Sequence, residues 1–205
     1  MTRFNRKKHW ENIYNTKSLN EVSWYQPKPE TSLSFIESAQ IPTDAKVIDI
    51  GGGDSFLVDN LINLGYTNVS VVDISGKAIE RARERLGEKA NLVTWIESDI
   101  NDFTPTDKYD FWHDRAAFHF LTDQCEIDRY SALVANSLFN SGHAVIGTFS
   151  KTGPLKCSGI GITQYSIEEL SSQFGLLSPI DQLEIQHRTP FDTTQDFIFC
   201  HFKKP

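Results

Sequence analysis

The chain has 205 residues, 39% of them hydrophobic with 14 Phe and 4 Trp, enough to bury a sizeable core and to exclude disorder as its main state. Lys and Arg number 20 against 27 Asp and Glu; the resulting formal charge of −7 has the wrong sign for neutralising many phosphates, so nucleic acid is not an expected partner. No apolar run approaches the ~20 residues that cross a bilayer, the basic start from Met1 to Trp10 lacks a signal-peptide core, and Cys125, Cys157 and Cys200 form no C-x-x-C pair, so a cytoplasmic chain with reduced thiols and no membrane partner is expected.

The first strand candidate, Lys46–Ile50, ends in three glycines that open a helix with Leu57, Leu61 and Leu64 at helical spacing. Val69–Asp73 follows, then a helix carrying Ala78, Ile79, Ala82 and Leu86. Gly65 and Gly87 fall where these two helices should stop. Leu92–Ile96 and Tyr109–His113 are the third and fourth strands. Thr122 or Asp123 can cap a third helix, marked by Ile127, Tyr130, Val134 and Leu138, before a fifth strand at Ala144–Phe149. Short apolar strands alternating with amphipathic helices predict a parallel sheet covered on both faces.

After the fifth strand, Ser150 to Gly161 reads as a loop rich in Gly, Pro and Ser. Ser166 and Glu169 stand at capping-box spacing ahead of Ile167, Leu170 and Phe174, which predicts another short helix. Gln182–His187 and Asp196–Phe202, separated by a segment with Pro190 and three Thr, predict an antiparallel hairpin at one edge. Residues 1–45 read as an N-terminal helical cap and residues 46–205 as the core of a single domain.

The glycine turn carries the sharpest chemical signal. Glycine lacks Cβ and reaches φ > 0 cheaply, so backbone N–H groups after Asp49–Ile50–Gly51–Gly52–Gly53 can approach a ligand closely. Asp73 ends the second strand 24 residues beyond Asp49, where a carboxylate can accept from both hydroxyls of a ribose. A dinucleotide fingerprint begun at Gly51 needs a glycine where Phe56 stands, and Asp54 adds negative charge where two phosphates would lie. S-adenosylmethionine, a sulfonium with a free ammonium, meets neither objection and is the expected cofactor.

Asp49 to Ser55 resembles the D-x-G-x-G-x-[GS] motif of class I S-adenosylmethionine-dependent methyltransferases, which places Asp49, Gly51, Gly53 and Ser55 at the cofactor. The resemblance implies Asp73, followed by Ile74, at the ribose. It implies Asp99 at the adenine amino group with Ile100 against the ring, and the end of Tyr109–Arg115, with His113 and Arg115, at the methionine portion. It further implies an α/β fold: a Rossmann-like, seven-stranded, mostly parallel doubly wound sheet with a C-terminal antiparallel hairpin, with which the strand candidates agree. His9 to Tyr14 and Ser23 to Gln26 resemble the aromatic segments of lysine methyltransferases that modify elongation factor 1A or citrate synthase, and more loosely thiopurine methyltransferase. By that likeness Trp10, Tyr14 and Trp24 line the cofactor pocket.

Methyl transfer from a sulfonium is an in-line displacement that asks mainly for alignment, exclusion of water and, for some acceptors, a base. His113, Asp114 and His119 are the catalytic candidates, and Cys157 is placed near the substrate. The [DNS]-P-P-[YF] segment of base methylation is replaced by His113–Asp114–Arg115–Ala116, and Ser150–Lys151–Thr152 follows the fifth strand where a metal-dependent enzyme needs a carboxylate, so no metal is expected. The leading expectation is methylation of a small molecule by a monomer or weak dimer. The alternatives are a protein lysine methyltransferase acting on a basic segment and a non-catalytic S-adenosylmethionine-binding module.

Overall fold

A computed structural model describes residues 4–205; residues 1–3 of the basic start lie outside the described residues. Two helices precede the sheet, α1 (Arg6–Thr16) and α2 (Glu30–Ala39), joined through a short 3-10 turn at Leu19–Glu21. Then β1 (Lys46–Ile50), α3 (Leu57–Asn63), β2 (Asn68–Asp73), α4 (Gly76–Leu86), β3 (Val93–Glu97), β4 (Tyr109–Arg115), α5 (Gln124–Ser137) and β5 (Leu138–Phe149) alternate as the periodicity predicts. The remaining elements are β6 (Lys156–Cys157), β7 (Ile160–Gly161), α6 (Ile167–Gln173), β8 (Ser178–Arg188) and β9 (Thr194–Lys203). Among the described residues, no helix is long and apolar enough to cross a membrane.

The main sheet has seven strands in the order β3-β2-β1-β4-β5-β9-β8. Its first five strands pair in parallel, while β9 runs antiparallel to both β5 and β8. Both faces are covered, which is why the central strands read as near-continuous apolar runs. Ile48, Trp112 and Ile146 pack on one face with Tyr130, Val134 and Leu170 from α5 and α6. Val47, Phe111 and Val145 pack on the other with Phe35, Leu57 and Leu61 from α2 and α3. The strand order reverses between β1 and β4, and the crevice at the carboxyl ends of strands at such a point is the usual ligand site of an open α/β sheet.

The punctuation residues act as expected. Gly65 and Gly87 take positive φ (91° and 57°) after α3 and α4, Asp123 caps α5 by accepting from the N–H groups of Cys125 and Glu126, and Ser166 with Glu169 closes a capping box. Leu64, expected within the helix at the spacing of Leu57 and Leu61, instead lies just past its end and is 59% exposed, because α3 ends at Asn63 and the chain turns away at Gly65. β5 begins six residues earlier than expected, directly after α5. A register shift near Tyr109 and a positive φ of 63° at Ser141 bend its first half, so the apolar periodicity starts only at Ala144. Within the loop after β5, Ser158 and Gly159 both have positive φ (50° and 80°), the condition for a two-residue turn that matches strand twist, and so β6 and β7 pair as a small hairpin.

Candidate active site

The turn after β1 is shaped by close backbone approach. Gly51 has φ 67°, donates its N–H to the Val72 carbonyl at 2.8 Å, and a Cβ there would lie 2.9 Å from the Ala117 methyl. Gly53 donates its N–H to Asp73 Oδ2 at 3.0 Å, and a Cβ there would come within 2.6 Å of that oxygen. Asp73 Oδ1 accepts from the Ser75 N–H at 2.8 Å, while the Ser75 hydroxyl caps α4. The carboxylate at the end of β2 is therefore fixed by two backbone donors with one lone pair left on each oxygen. Burial raises its pKa from the ordinary 3.8 to about 6, against the lowering effect of those two bonds.

Asp54 does not project its charge into this space. It is buried and ion-paired to Arg81 (3.0 Å) and Arg85 (2.6 Å) of α4. Contrary to the sequence expectation, Asp54 therefore puts no free negative charge where the phosphates of a dinucleotide would lie, whereas Phe56 does occupy the third-glycine position, with the Arg85 guanidinium 4.2 Å from its ring centroid.

One pocket opens over the carboxyl ends of β1 to β4. Asp49, Gly51, Ser55, Asp73, Ile74 and Asp99 line it from the β1, β2 and β3 side, with Ile100 beside Asp99. His113 and Arg115 enter from β4, and Trp10, Tyr14 and Trp24 close it from the N-terminal segment. Gly53 lies just behind the lining and acts through Asp73. Trp10 sits edge-on to Phe120 at 5.0 Å and to Trp24 at 5.9 Å between centroids. α1 is held over the pocket by Glu11, which accepts from the Gly76 N–H at 2.7 Å, and by Arg81, which donates to the carbonyls of Tyr14 and Lys17 at 3.0 and 2.8 Å.

Three buried side chains form a chain at the pocket floor. His113 Nδ1 lies 2.7 Å from Asp49 Oδ1, and His113 Nε2 lies 2.9 Å from the Ser32 hydroxyl. The imidazole thus bridges a carboxylate oxygen on one side and a hydroxyl on the other, with both ring nitrogens engaged. Asp49 Oδ2 remains buried without a partner. Ala116, next to these groups in the lining, holds a positive φ of 66°, an uncommon strain for a residue with a Cβ.

The two other catalytic candidates lie off the pocket. Along β4 successive side chains face opposite ways, so His113 and Arg115 share the pocket side and Asp114 points into the core. There Asp114 accepts from Tyr130 Oη and from the N–H groups of Ala117 and Phe118, fixing the turn after β4, and burial raises its pKa to about 6. His119 is fully buried against Phe120 and Phe149, neither ring nitrogen has a partner, and burial lowers its pKa to about 3. It is a neutral packing residue in this arrangement.

Cys157 does line the pocket, its thiol pushed up to about 11 by burial. Sequence reasoning missed Ser32, Phe149, Phe197 and Gln195, which also face the cavity. No spacing motif marks Ser32 in α2. The β9 residues reach the site only because the terminal hairpin inserts next to β5.

Comparison with known proteins adds the chemistry. Residues 47–142 match the family model described as a methyltransferase domain. EEF1A lysine methyltransferase 2 of Mus musculus is 25% identical over 141 residues, covering 64% of this chain and 54% of that protein, so the chain spans about half the length of that relative. The N-methyltransferase NodS of Bradyrhizobium japonicum WM9, solved with S-adenosyl-L-homocysteine, superposes with a TM-score of 0.76 at 15% identity, covering 98% of this chain and all of NodS (100%). A protein solved in a study of the conversion of a disulfide bond into a thioacetal group during echinomycin biosynthesis gives a TM-score of 0.78 at 19% identity, over 97% of this chain and 92% of its own. Residues 47–142 are thus similar to a methyltransferase domain, and the fold is the one seen in methyltransferases solved with S-adenosyl-L-homocysteine.

Proposed function

We propose that this chain is a class I S-adenosylmethionine-dependent methyltransferase that transfers a methyl group to a small-molecule acceptor in the pocket over β1 to β4. The observation that carries the reading is the convergence of Asp49, Asp73 and Asp99 from three adjacent strand ends on one cavity walled by Trp10, Trp24 and Phe120. The donors and acceptors fit the cofactor. Asp73 retains lone pairs for two ribose hydroxyls, Asp99 is available to an adenine amino group, and the unpartnered Asp49 Oδ2 suits an ammonium. When bound, S-adenosylmethionine supplies an electrophilic methyl group on a positively charged sulfur.

The chain's own part in the reaction is positional and electrostatic. Gly51 lets backbone approach the cofactor and Gly53 holds Asp73 in place, with Ser55, Ile74 and Ile100 completing the walls. Trp10, Tyr14 and Trp24 wall the cavity with aromatic surface that excludes water. His113 has both ring nitrogens engaged, so we assign it the orientation of Asp49 and Ser32, a positioning role.

Purified protein incubated with methyl-tritiated S-adenosylmethionine and cell extract is expected to place label in the small-molecule fraction and to form S-adenosylhomocysteine. The likeness to EEF1A lysine methyltransferase 2 supports a second reading, lysine methylation in a protein. Label confined to a protein band would establish that reading in place of the first.

A further inference from the structure

Arg115 is a cation in the pocket wall that the chain itself leaves without a counter-charge. Its Nη1 donates to the Trp24 carbonyl at 3.1 Å, and its Nη2 is buried with no partner. Among the described residues no carboxylate lies within ion-pair distance of it. Asp49, the acid whose charge acts on it, is engaged by His113. The guanidinium stays charged at neutral pH, since burial lowers its pKa only to about 10. Its other titratable neighbours supply no negative charge: the Cys157 thiol is raised to about 11, His119 lowered to about 3, and burial also lowers His187. A buried, unpaired guanidinium is costly, and an anionic ligand removes that cost.

The position of this charge decides which ligand it serves. The acids that suit the cofactor come from β1, β2 and the segment after β3. Arg115 pairs with Gly147 of β5, on the other side of β4, and its guanidinium carbon lies 5.5 Å from the ring centroid of Phe197 on β9. Phe149, Phe197 and Cys157 wall that half of the pocket, giving it apolar, flat surfaces around one positive centre.

We propose that Arg115 anchors the carboxylate of an aromatic acceptor, so that the substrate class is an aromatic monocarboxylate and not a cationic amine. This rests on the methyl-transfer reading above and reassigns Arg115 from the cofactor to the acceptor. A protonated lysine side chain entering the same space would meet the guanidinium and be repelled.

The test is calorimetric, on the full chain, with Arg115→Met as the charge deletion and Arg115→Lys as the charge-keeping control. S-adenosylhomocysteine is titrated first, then benzoate, benzamide and butylammonium into the saturated complex. The expected results are cofactor-product affinity unchanged within about threefold in both variants, and benzoate binding at millimolar concentration that weakens on the order of tenfold or more in Arg115→Met and less in Arg115→Lys. Benzamide and butylammonium are expected to bind more weakly than benzoate. A loss of about tenfold or more in S-adenosylhomocysteine affinity in Arg115→Met would place the guanidinium on the cofactor carboxylate and overturn the proposal. So would absence of benzoate binding, equal benzoate affinity in wild type and Arg115→Met, or tighter binding of butylammonium. Failure of the wild type to bind S-adenosylhomocysteine would remove the methyl-transfer reading instead.

Discussion

Replacing Asp73 by Asn alters both the charge and the donor pattern of one well-determined carboxylate. Each Asp73 oxygen already accepts one backbone N–H, from Gly53 at 3.0 Å and Ser75 at 2.8 Å, leaving one lone pair apiece for ribose hydroxyls. Asn retains only one of those oxygens and turns its NH2 toward a backbone donor. At least one hydrogen bond to a charged acceptor is lost, about 1.5–3 kcal/mol, or roughly 10- to 150-fold in cofactor affinity. The pH dependence provides an independent signature. Asp73 titrates near 6 when cofactor-free, against 3.8 ordinarily, because it is buried. The folded state therefore holds a proton that the unfolded chain has released between about pH 4 and 6, and this group's contribution to stability falls as pH rises through that window, by about 3 kcal/mol in all. Ribose hydroxyls favour the ionised form, so wild-type affinity should rise from pH 5 to 7 and then level off. The Asn variant should show no such rise. Calorimetric titration of S-adenosylhomocysteine across pH 5–8 measures both effects; an Asn variant within about threefold of wild type, or a flat wild-type profile, would refute the reasoning.

Three further outcomes follow from named contacts. Gly53→Ala puts a Cβ 2.6 Å from Asp73 Oδ2 and from the Ala78 methyl, so cofactor affinity should fall and thermal denaturation should occur at lower temperature; unchanged values in both would contradict the geometry. His119→Phe removes two unpartnered ring nitrogens while keeping a ring between Phe120 and Phe149, and should leave neutral-pH stability equal or higher in urea denaturation. With a folded pKa of about 3 against 6.5, wild-type His119 costs stability as pH falls below 6.5, at up to about 1.4 kcal/mol per pH unit, and the variant should lose that acid sensitivity. Tyr130→Phe deletes the hydroxyl that donates to Asp114 and accepts from Trp112 Nε1 at 3.1 Å, and should cost about 1.5–3 kcal/mol in the same assay. S-adenosylhomocysteine affinity should hold in that variant, because none of the three residues faces the pocket.

What could be read from the sequence is what depends on local backbone rules. Three glycines after an apolar strand demand a tight turn, Gly65 and Gly87 stop helices by adopting positive φ, and Ser166 with Glu169 satisfies its own helix end. Side-chain direction beyond such a turn was not legible. Asp54 leaves the loop toward α4, where Arg81 and Arg85 neutralise it, and only the packing of α4 reveals that. The strand read as ending at His113 in fact continues to Arg115. Two-residue alternation along that longer strand separates His113 and Arg115, facing the pocket, from Asp114, which supports the core. Ser32 and Phe197 are brought to the site by α2 and by the insertion of β9 beside β5, contacts between distant parts of the chain that no local spacing encodes.

The most direct test of the central claim is a crystal structure of the protein with S-adenosylhomocysteine bound. The ribose hydroxyls are expected within hydrogen-bonding distance of Asp73, the adenine amino group at Asp99 and the amino-acid ammonium at Asp49 Oδ2, with the sulfur directed toward the Arg115 side of the cavity. Nucleoside density lying away from Asp73 and Asp99, or no binding in this pocket at all, would contradict it.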